Sequence, residues 1–206
     1  MEILYPFIIA FTLVFISELG DKTQLLVLSF SSRVKTFNIL LGVALGSLFS
    51  HGIAILFGSS IALLQNNTFH YILEIITYSS FIFFGIISFL PSKENDNNKK
   101  DGLIKKLANL GIGYIFVIAL SIIIGELGDK TFLASIGLGI SYPSYKLFLV
   151  LGAILGMVAS DSIAIIFGKI LKNKISEDTM QKLSGILFII FGLINFIRFF
   201  INFFNI

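Results

Sequence analysis

The 206-residue chain is 56% hydrophobic and only 13% charged, with 23 Phe, no Trp and a mean hydropathy of +0.95. A soluble domain of this length would carry about 25% charged residues, so the class is a polytopic membrane protein whose main partner is the lipid bilayer. The net charge of +3 lies in short loops and offers no folded basic face to nucleic acid. The lack of Cys removes disulfides, thiolate metal ligands and thiol catalysis together.

Apolar periodicity predicts an all-α chain with six transmembrane helices. The N-terminus, Met1-Glu2-Ile3-Leu4, has neither a basic n-region nor a small-residue cleavage site, so no cleaved signal peptide is expected. Span 1, from Leu4 to Phe30, contains Glu18-Leu19-Gly20-Asp21-Lys22-Thr23. It exceeds the ~20 residues needed to cross, so it must tilt, bend or break, with Gly20 the expected place. Span 2 runs from Phe37 to Leu64 around His51, and span 3 from Phe69 to Leu90 with Glu74 near its start. Residues 91–109 are polar, lack apolar periodicity and read as a linker. Span 4, from Leu110 to Ile140, holds Glu126-Leu127-Gly128-Asp129-Lys130-Thr131, the same six residues 108 positions later. Span 5 covers Lys146 to Leu171 around Asp161, and span 6 covers Leu183 to Phe204.

The halves match beyond the hexapeptide. Gly42, Gly46, Ser50, Ala54 and Gly58 recur at an offset of 110 as Gly152, Gly156, Ser160, Ala164 and Gly168. Phe84-Gly85 is echoed more weakly by Phe191-Gly192. The chain is therefore expected to be a duplicated three-helix unit, 1–90 and 110–206, joined by the linker. An odd number of spans per unit inverts the second copy, giving two inverted-topology repeats of the kind secondary transporters use to place a substrate site at their interface. Loops 1–2, 3–4 and 5–6 carry eleven Lys/Arg against two, Lys146 and Arg198, on the opposite side. The positive-inside rule then puts the linker in the cytoplasm and both termini outside.

Ionisable side chains inside a span are costly and mark ion or substrate paths. On a regular helix Glu18 and Asp21 lie about 60° apart with Lys22 about 40° to the other side, so they share a face, as do Glu126, Asp129 and Lys130. Thr23 and Thr131 fall about 140° from the glutamates on such a helix; either the glycine bends the chain enough to return the hydroxyl, or the threonine packs against a neighbour. Four carboxylates and two ammoniums sum to −2, the charge one divalent cation neutralises. Oxygen ligands without Cys suit hard ions such as Mn²⁺, Ca²⁺ or Mg²⁺, with Glu18, Asp21, Glu126 and Asp129 as metal ligands and protons competing for them. A knot of i,i+4 ion pairs that only holds the bundle together is the bland alternative, but membrane bundles associate through small residues and need no buried acids. The glycines and alanines of the ladders read as packing. Ser50 and Ser160, at membrane depth, are candidate hydroxyl ligands or gates. Asp161 is a candidate accessory ligand or proton relay. Its counterpart His51 reads as a satisfied hydrogen-bonding residue. Gln24, which Phe132 replaces in the second half, has at most a private role, and Glu74 near a span end is assigned none.

The doubled E-x-G-D-(K/R)-(T/S) motif, one copy in the first span of each half, resembles the cation/proton exchangers that include the Golgi transmembrane protein 165 and bacterial manganese exporters. The resemblance covers essentially the whole chain. It implies export of Mn²⁺ or Ca²⁺ from the cytoplasm in exchange for protons, with Mn²⁺ favoured by the bacterial relatives. The ions are then cargo, and no cofactor is implied. Site roles fall on Glu18, Asp21, Lys22 and Thr23, on Glu126, Asp129, Lys130 and Thr131, and on Ser50 and Ser160. The brevity of the chain is similar to that of prokaryotic plasma-membrane members. Two other functions compete: a six-span exporter of small solutes such as amino acids, and a membrane-embedded metal-dependent hydrolase. The first lacks counter-charge for a carboxylate beyond the two lysines, and the second lacks a zinc motif such as H-E-x-x-H.

Overall fold

The computed structural model describes residues 4–19, 21–31, 34–63, 67–89, 113–174 and 177–204. In chain order they form α1 (Leu4–Glu18), α2 (Lys22–Ser31), α3 (Thr36–Ala62), α4 (Asn67–Ile87), α5 (Tyr114–Glu126), α6 (Lys130–Ser141), a 3-10 turn (Pro143–Tyr145), α7 (Lys146–Lys174) and α8 (Glu177–Phe204). No strand occurs among the described residues. The linker expected over 91–109 lies outside them.

Spans 2 and 5 are single helices, and Thr36–Ala62 and Pro143–Ile166 are long and apolar enough to cross a membrane by length and composition. Spans 1 and 4 differ. Each is two helices separated at its hexapeptide, so the motif residues do not share one continuous helical face as the regular-helix reading expects. Span 6 also starts earlier than its apolar run suggests, because α8 continues through the polar stretch from Glu177 to Lys182. Hydropathy marks only the part of a helix suited to lipid.

Helix α3 shows how the chain is packed. Its buried side carries Gly42, Gly46, Ser47, Ser50, His51, Ala54 and Gly58, while Phe49, Ile53, Leu56 and Phe57 are exposed. Small and polar residues inside with large apolar ones outside is the pattern of a helix solvated by lipid. The ladder glycines allow backbones to meet. A Cβ added at Gly42 would lie 2.8 Å from the Ile115 carbonyl oxygen, and one at Gly46 would lie 2.9 Å from that of Ala119. The same atoms recur in the other half. A Cβ at Gly152 would lie 2.5 Å from the Phe7 carbonyl oxygen, and one at Gly156 would lie 2.6 Å from that of Phe11. Phe7 and Phe11 precede Ile115 and Ala119 by 108 positions, the offset of the hexapeptides.

The halves therefore interlock: α1 packs along α7, and α5 and α6 along α3. Helices α4 and α8 cross one another in the same reciprocal way. Gly85 faces the carbonyl oxygen of Gly185 and the Cγ1 of Ile189, while Gly192 faces the carbonyl oxygen of Tyr78 and the Cγ1 of Ile82. Each of these pairs is related by 107 positions. The contact runs in opposite chain directions, since residues 78–82 meet 192 while residue 85 meets 185–189. A core of Ala10, Val14, Ile39, Val43, Ile118, Ile122, Leu149 and Ala153 fills the space between the broken helices and the ladders.

Candidate ion-translocation site

The second hexapeptide is a turn inside a span. Leu127 adopts φ −59° and ψ 115°, Gly128 has φ 81°, and the Asp129 N–H donates to the Glu126 carbonyl at 3.0 Å. These are the dihedrals and the hydrogen bond of a type II turn, whose third position needs positive φ and so selects glycine. In the first hexapeptide the Asp21 N–H donates to the Glu18 carbonyl at 3.2 Å. Gly20 itself lies outside the described residues. Each span thus breaks at its motif, leaving the C-terminal end of one half-helix beside the N-terminal end of the next. Such ends carry partial charges and unpaired backbone groups, a means of handling ions at membrane depth.

The break decides the threonine question for the second half. Thr131 is fully buried, and its hydroxyl donates to Glu126 Oε2 at 2.8 Å, with Asp129 Oδ2 at 3.3 Å as a further acceptor. The 140° separation of a regular helix does not apply across a turn. Asp129 stands at the N-cap of α6 without capping it through its side chain. Asp129 and Lys130 are half-buried, as is Asp21, whereas Glu18 and Glu126 are 1% and 0% exposed. The side chains of Lys22 and Thr23 lie outside the described residues.

The acids of the two motifs lie within electrostatic reach of one another. Glu18 lies within electrostatic reach of Glu126, Asp21, Asp129 and Asp161, and Glu126 within reach of Asp129, Asp21 and Asp161. Asp161 on α7 therefore joins the four motif acids; it is 1% exposed, and its Oδ2 has no hydrogen-bond partner among the described residues. Glu126 Oε1 likewise has none. Among the described residues no three acids or histidines converge into a group that could hold a metal ion as it stands. The Gln24 Nε2 donates to Ser160 Oγ at 2.7 Å, tying α2 to the second half. Ser50 is buried but turned toward its own helix, its hydroxyl 3.5 Å from the Ser47 carbonyl oxygen. His51 is satisfied on one nitrogen, with Nδ1 2.8 Å from Ser135 Oγ. Nothing in the sequence of its own span marks Ser135 as that partner.

The family described as divalent cation/proton antiporter GDT1 matches residues 6–96 and 114–200, one segment in each half. The chain belongs to that family. A Vibrio cholerae protein named "Putative manganese exporter" is 28% identical over 186 residues, covering 90% of this chain and 87% of its own length. Protein PAM71, chloroplastic, of Arabidopsis thaliana is 28% identical over 213 residues, covering 89% of this chain and 54% of its own length. GDT1-like protein 2, chloroplastic, of rice is 30% identical over 213 residues, with 92% and 60% covered. The chain thus spans little more than half of the two chloroplast relatives. No solved structure matches it. The GDT1 family consists of membrane antiporters, and divalent cations and protons are their cargo rather than cofactors.

The Thr131–Glu126 bond can be tested directly. Hydrogen bonds to charged groups are worth about 1.5–3 kcal/mol. Thr131→Val is expected to weaken metal binding by the purified protein about tenfold or more, whereas Thr131→Ser keeps it within about twofold, read by isothermal titration with Mn²⁺. Equal binding by the valine variant would remove Thr131 from the site.

Proposed function

We propose that the protein exports a divalent cation, Mn²⁺ ahead of Ca²⁺, in exchange for protons. The ion binds between the two motif turns. The observation that carries this reading is the mutual approach of Glu18, Asp21, Glu126, Asp129 and Asp161 across the two halves of a membrane antiporter family. Glu18, Asp21, Glu126 and Asp129 hold the ion, with Asp161 as accessory ligand or proton relay. Thr131 and Thr23 orient the glutamates, Lys22 and Lys130 supply fixed counter-charge, and Ser160, held by Gln24, and Ser50 line the path. The Mn²⁺ preference follows the name of the Vibrio relative. The reciprocal glycine contacts support six spans arranged as two inverted repeats, and the Vibrio relative supports a prokaryotic plasma membrane. No feature of the geometry favours an amino-acid exporter or a hydrolase.

Purified protein in liposomes tests the reading, with Mn²⁺ and Ca²⁺ flux and internal pH followed together. Ion uptake coupled to opposite proton movement is expected; flux without proton movement, or no flux, overturns it. Orientation is tested separately in the natural Cys-free background. Asn97→Cys is expected to react only from the cytoplasm and Asn205→Cys only from outside. Labelling of the former in intact cells by an impermeant reagent would reverse the topology.

A further inference from the structure

One end of the bundle contains a cavity of about 250 Å³ that belongs to none of the groups above. Glu74 and Tyr78 of α4, Ser141 and Tyr142 at the end of α6, and Asn195 and Arg198 of α8 line it. It is polar, and its walls are tied together. The Tyr78 hydroxyl is within hydrogen-bonding reach of both Glu74 and Ser141. Tyr142 donates to Asn195 Oδ1 at 3.3 Å, and Asn195 Nδ2 donates to the Phe191 carbonyl at 2.8 Å. The guanidinium of Arg198 sits 5.2 Å from the centre of the Tyr5 ring, a cation–π contact that holds the cation at the rim. Tyr78 and Asn195 are 6% and 5% exposed while Tyr71 and Arg198 are exposed, so the cavity has a buried floor and an open mouth.

This cavity is not a consequence of the duplication. Positions related to Glu74, Tyr78, Asn195 and Arg198 by 107 residues are Gln181, Gly185, Ser88 and Pro91, and the one related to Tyr142 by 108 is Val34. The other half offers no acid and no tyrosine there. The cavity lies where α1 and α4 begin and α6 and α8 end, the end that the Lys/Arg bias assigns to the outside. Helix α6 runs from its floor to the motif: Ser141 lies ten residues beyond Thr131, about 15 Å along the axis.

We propose that this cavity is the outer port of the antiporter and that Glu74 is a proton-accepting carboxylate within it, a role that rests on the exchange reading above. Protons from the outer solution bind the Glu74 carboxylate and pass inward to the motif acids, and the exported cation leaves through the same mouth. The titratable or charged groups facing Glu74 are Tyr71 and Tyr78 on its own helix, Tyr142 from α6 and Arg198 from α8. Arg198 keeps the empty port near neutrality, so a cation is not trapped on its way out.

The test uses full-length protein in liposomes with Mn²⁺ as the probe. Compared with wild type, Glu74→Gln is expected to slow exchange about 5- to 10-fold when the solution on the Glu74 face is at about pH 8. The defect shrinks to within about twofold at about pH 6, where bulk protons no longer limit delivery. Varying the pH on the opposite face leaves the defect unchanged, and Mn²⁺ binding by the detergent-purified variant stays within about twofold of wild type. A defect equal at both pH values, or no defect, overturns the port. An independent check is Ser141→Cys, expected to react with an impermeant thiol reagent from the Glu74 face and to exchange more slowly once modified. Failure to react, or exchange that is blind to modification, overturns the port even where Glu74→Gln does not fold. Wild-type protein that exchanges neither Mn²⁺ nor Ca²⁺ sinks the antiport reading and this one with it, whereas an active wild type with a pH-blind Glu74→Gln defect sinks only the port.

Discussion

Glu126→Gln and Glu18→Gln are expected to abolish metal–proton exchange, lowering its rate at least about 100-fold while folded protein still reaches the membrane. Both glutamates are fully buried where the two halves meet, and each lies among the other acids. The partner each glutamate would lose is the bound cation; breaking a buried pair of opposite charges costs about 3–5 kcal/mol, and 2.7 kcal/mol is already a factor of about 100. The amide keeps the shape and the Thr131 acceptor oxygen but loses the charge, so the loss falls on ion binding rather than on packing. Asp21→Asn and Asp129→Asn, at half-buried positions, should lose at least about tenfold, since water screens part of their charge. Liposome flux together with size-exclusion profiles separates transport from folding. Wild-type rates in all four variants would place the site elsewhere.

The second large effect is that of pH on metal affinity. Under the proposed exchange, protons and metal compete for the same carboxylates, so apparent Mn²⁺ affinity is expected to fall steeply as pH drops, and an inward proton gradient to accelerate export. The sign follows from charge. The four motif acids and two lysines sum to −2 when ionised, and to zero either with one divalent ion bound or with two protons bound. Moving net charge through the membrane costs about 2.3 kcal/mol per charge per 100 mV, so both near-neutral forms can reorient while the ionised empty form is held back. Asp161 adds a fifth acid, and neutrality with the metal bound then takes one more proton. Acids this close titrate as a coupled set, so binding curves should report macroscopic steps belonging to the cluster. Lys22→Gln or Lys130→Gln should shift the pH dependence as well as the rate, by removing one fixed positive charge. Metal binding by the purified protein that stays constant between about pH 5.5 and 8.5 would eliminate the competition.

Several features of the site depended on geometry that periodicity could not supply. A helical wheel assumes continuity, and each hexapeptide interrupts the helix it was drawn on. The signal was present in Glu-Leu-Gly-Asp, because a glycine at the third position of a four-residue segment is what a type II turn requires. Inside a long apolar run that signal competes with helix propensity, and only the observed φ of 81° at Gly128 shows which won. Asp161 and His51 occupy equivalent positions in the two halves, yet the first joins the acids and the second pairs with Ser135. What surrounds each is contributed by a different helix, which no single span records.

Local chemistry along one chain was enough to determine that the protein is an all-helical membrane protein. Lipid selects long apolar runs, buried acids at that depth are too costly to keep without use, and small residues four apart mark where backbones touch. Those are properties of a segment against its solvent, and they need no knowledge of neighbours. The tertiary structure decided what depends on neighbours: that α1 lies against α7 and α5 against α3, that Thr131 turns back onto Glu126, that Gln24 reaches Ser160, and that Glu74 opens into a polar cavity. Each joins residues far apart in the chain or placed across a turn, and their proximity is set by how the two halves interlock.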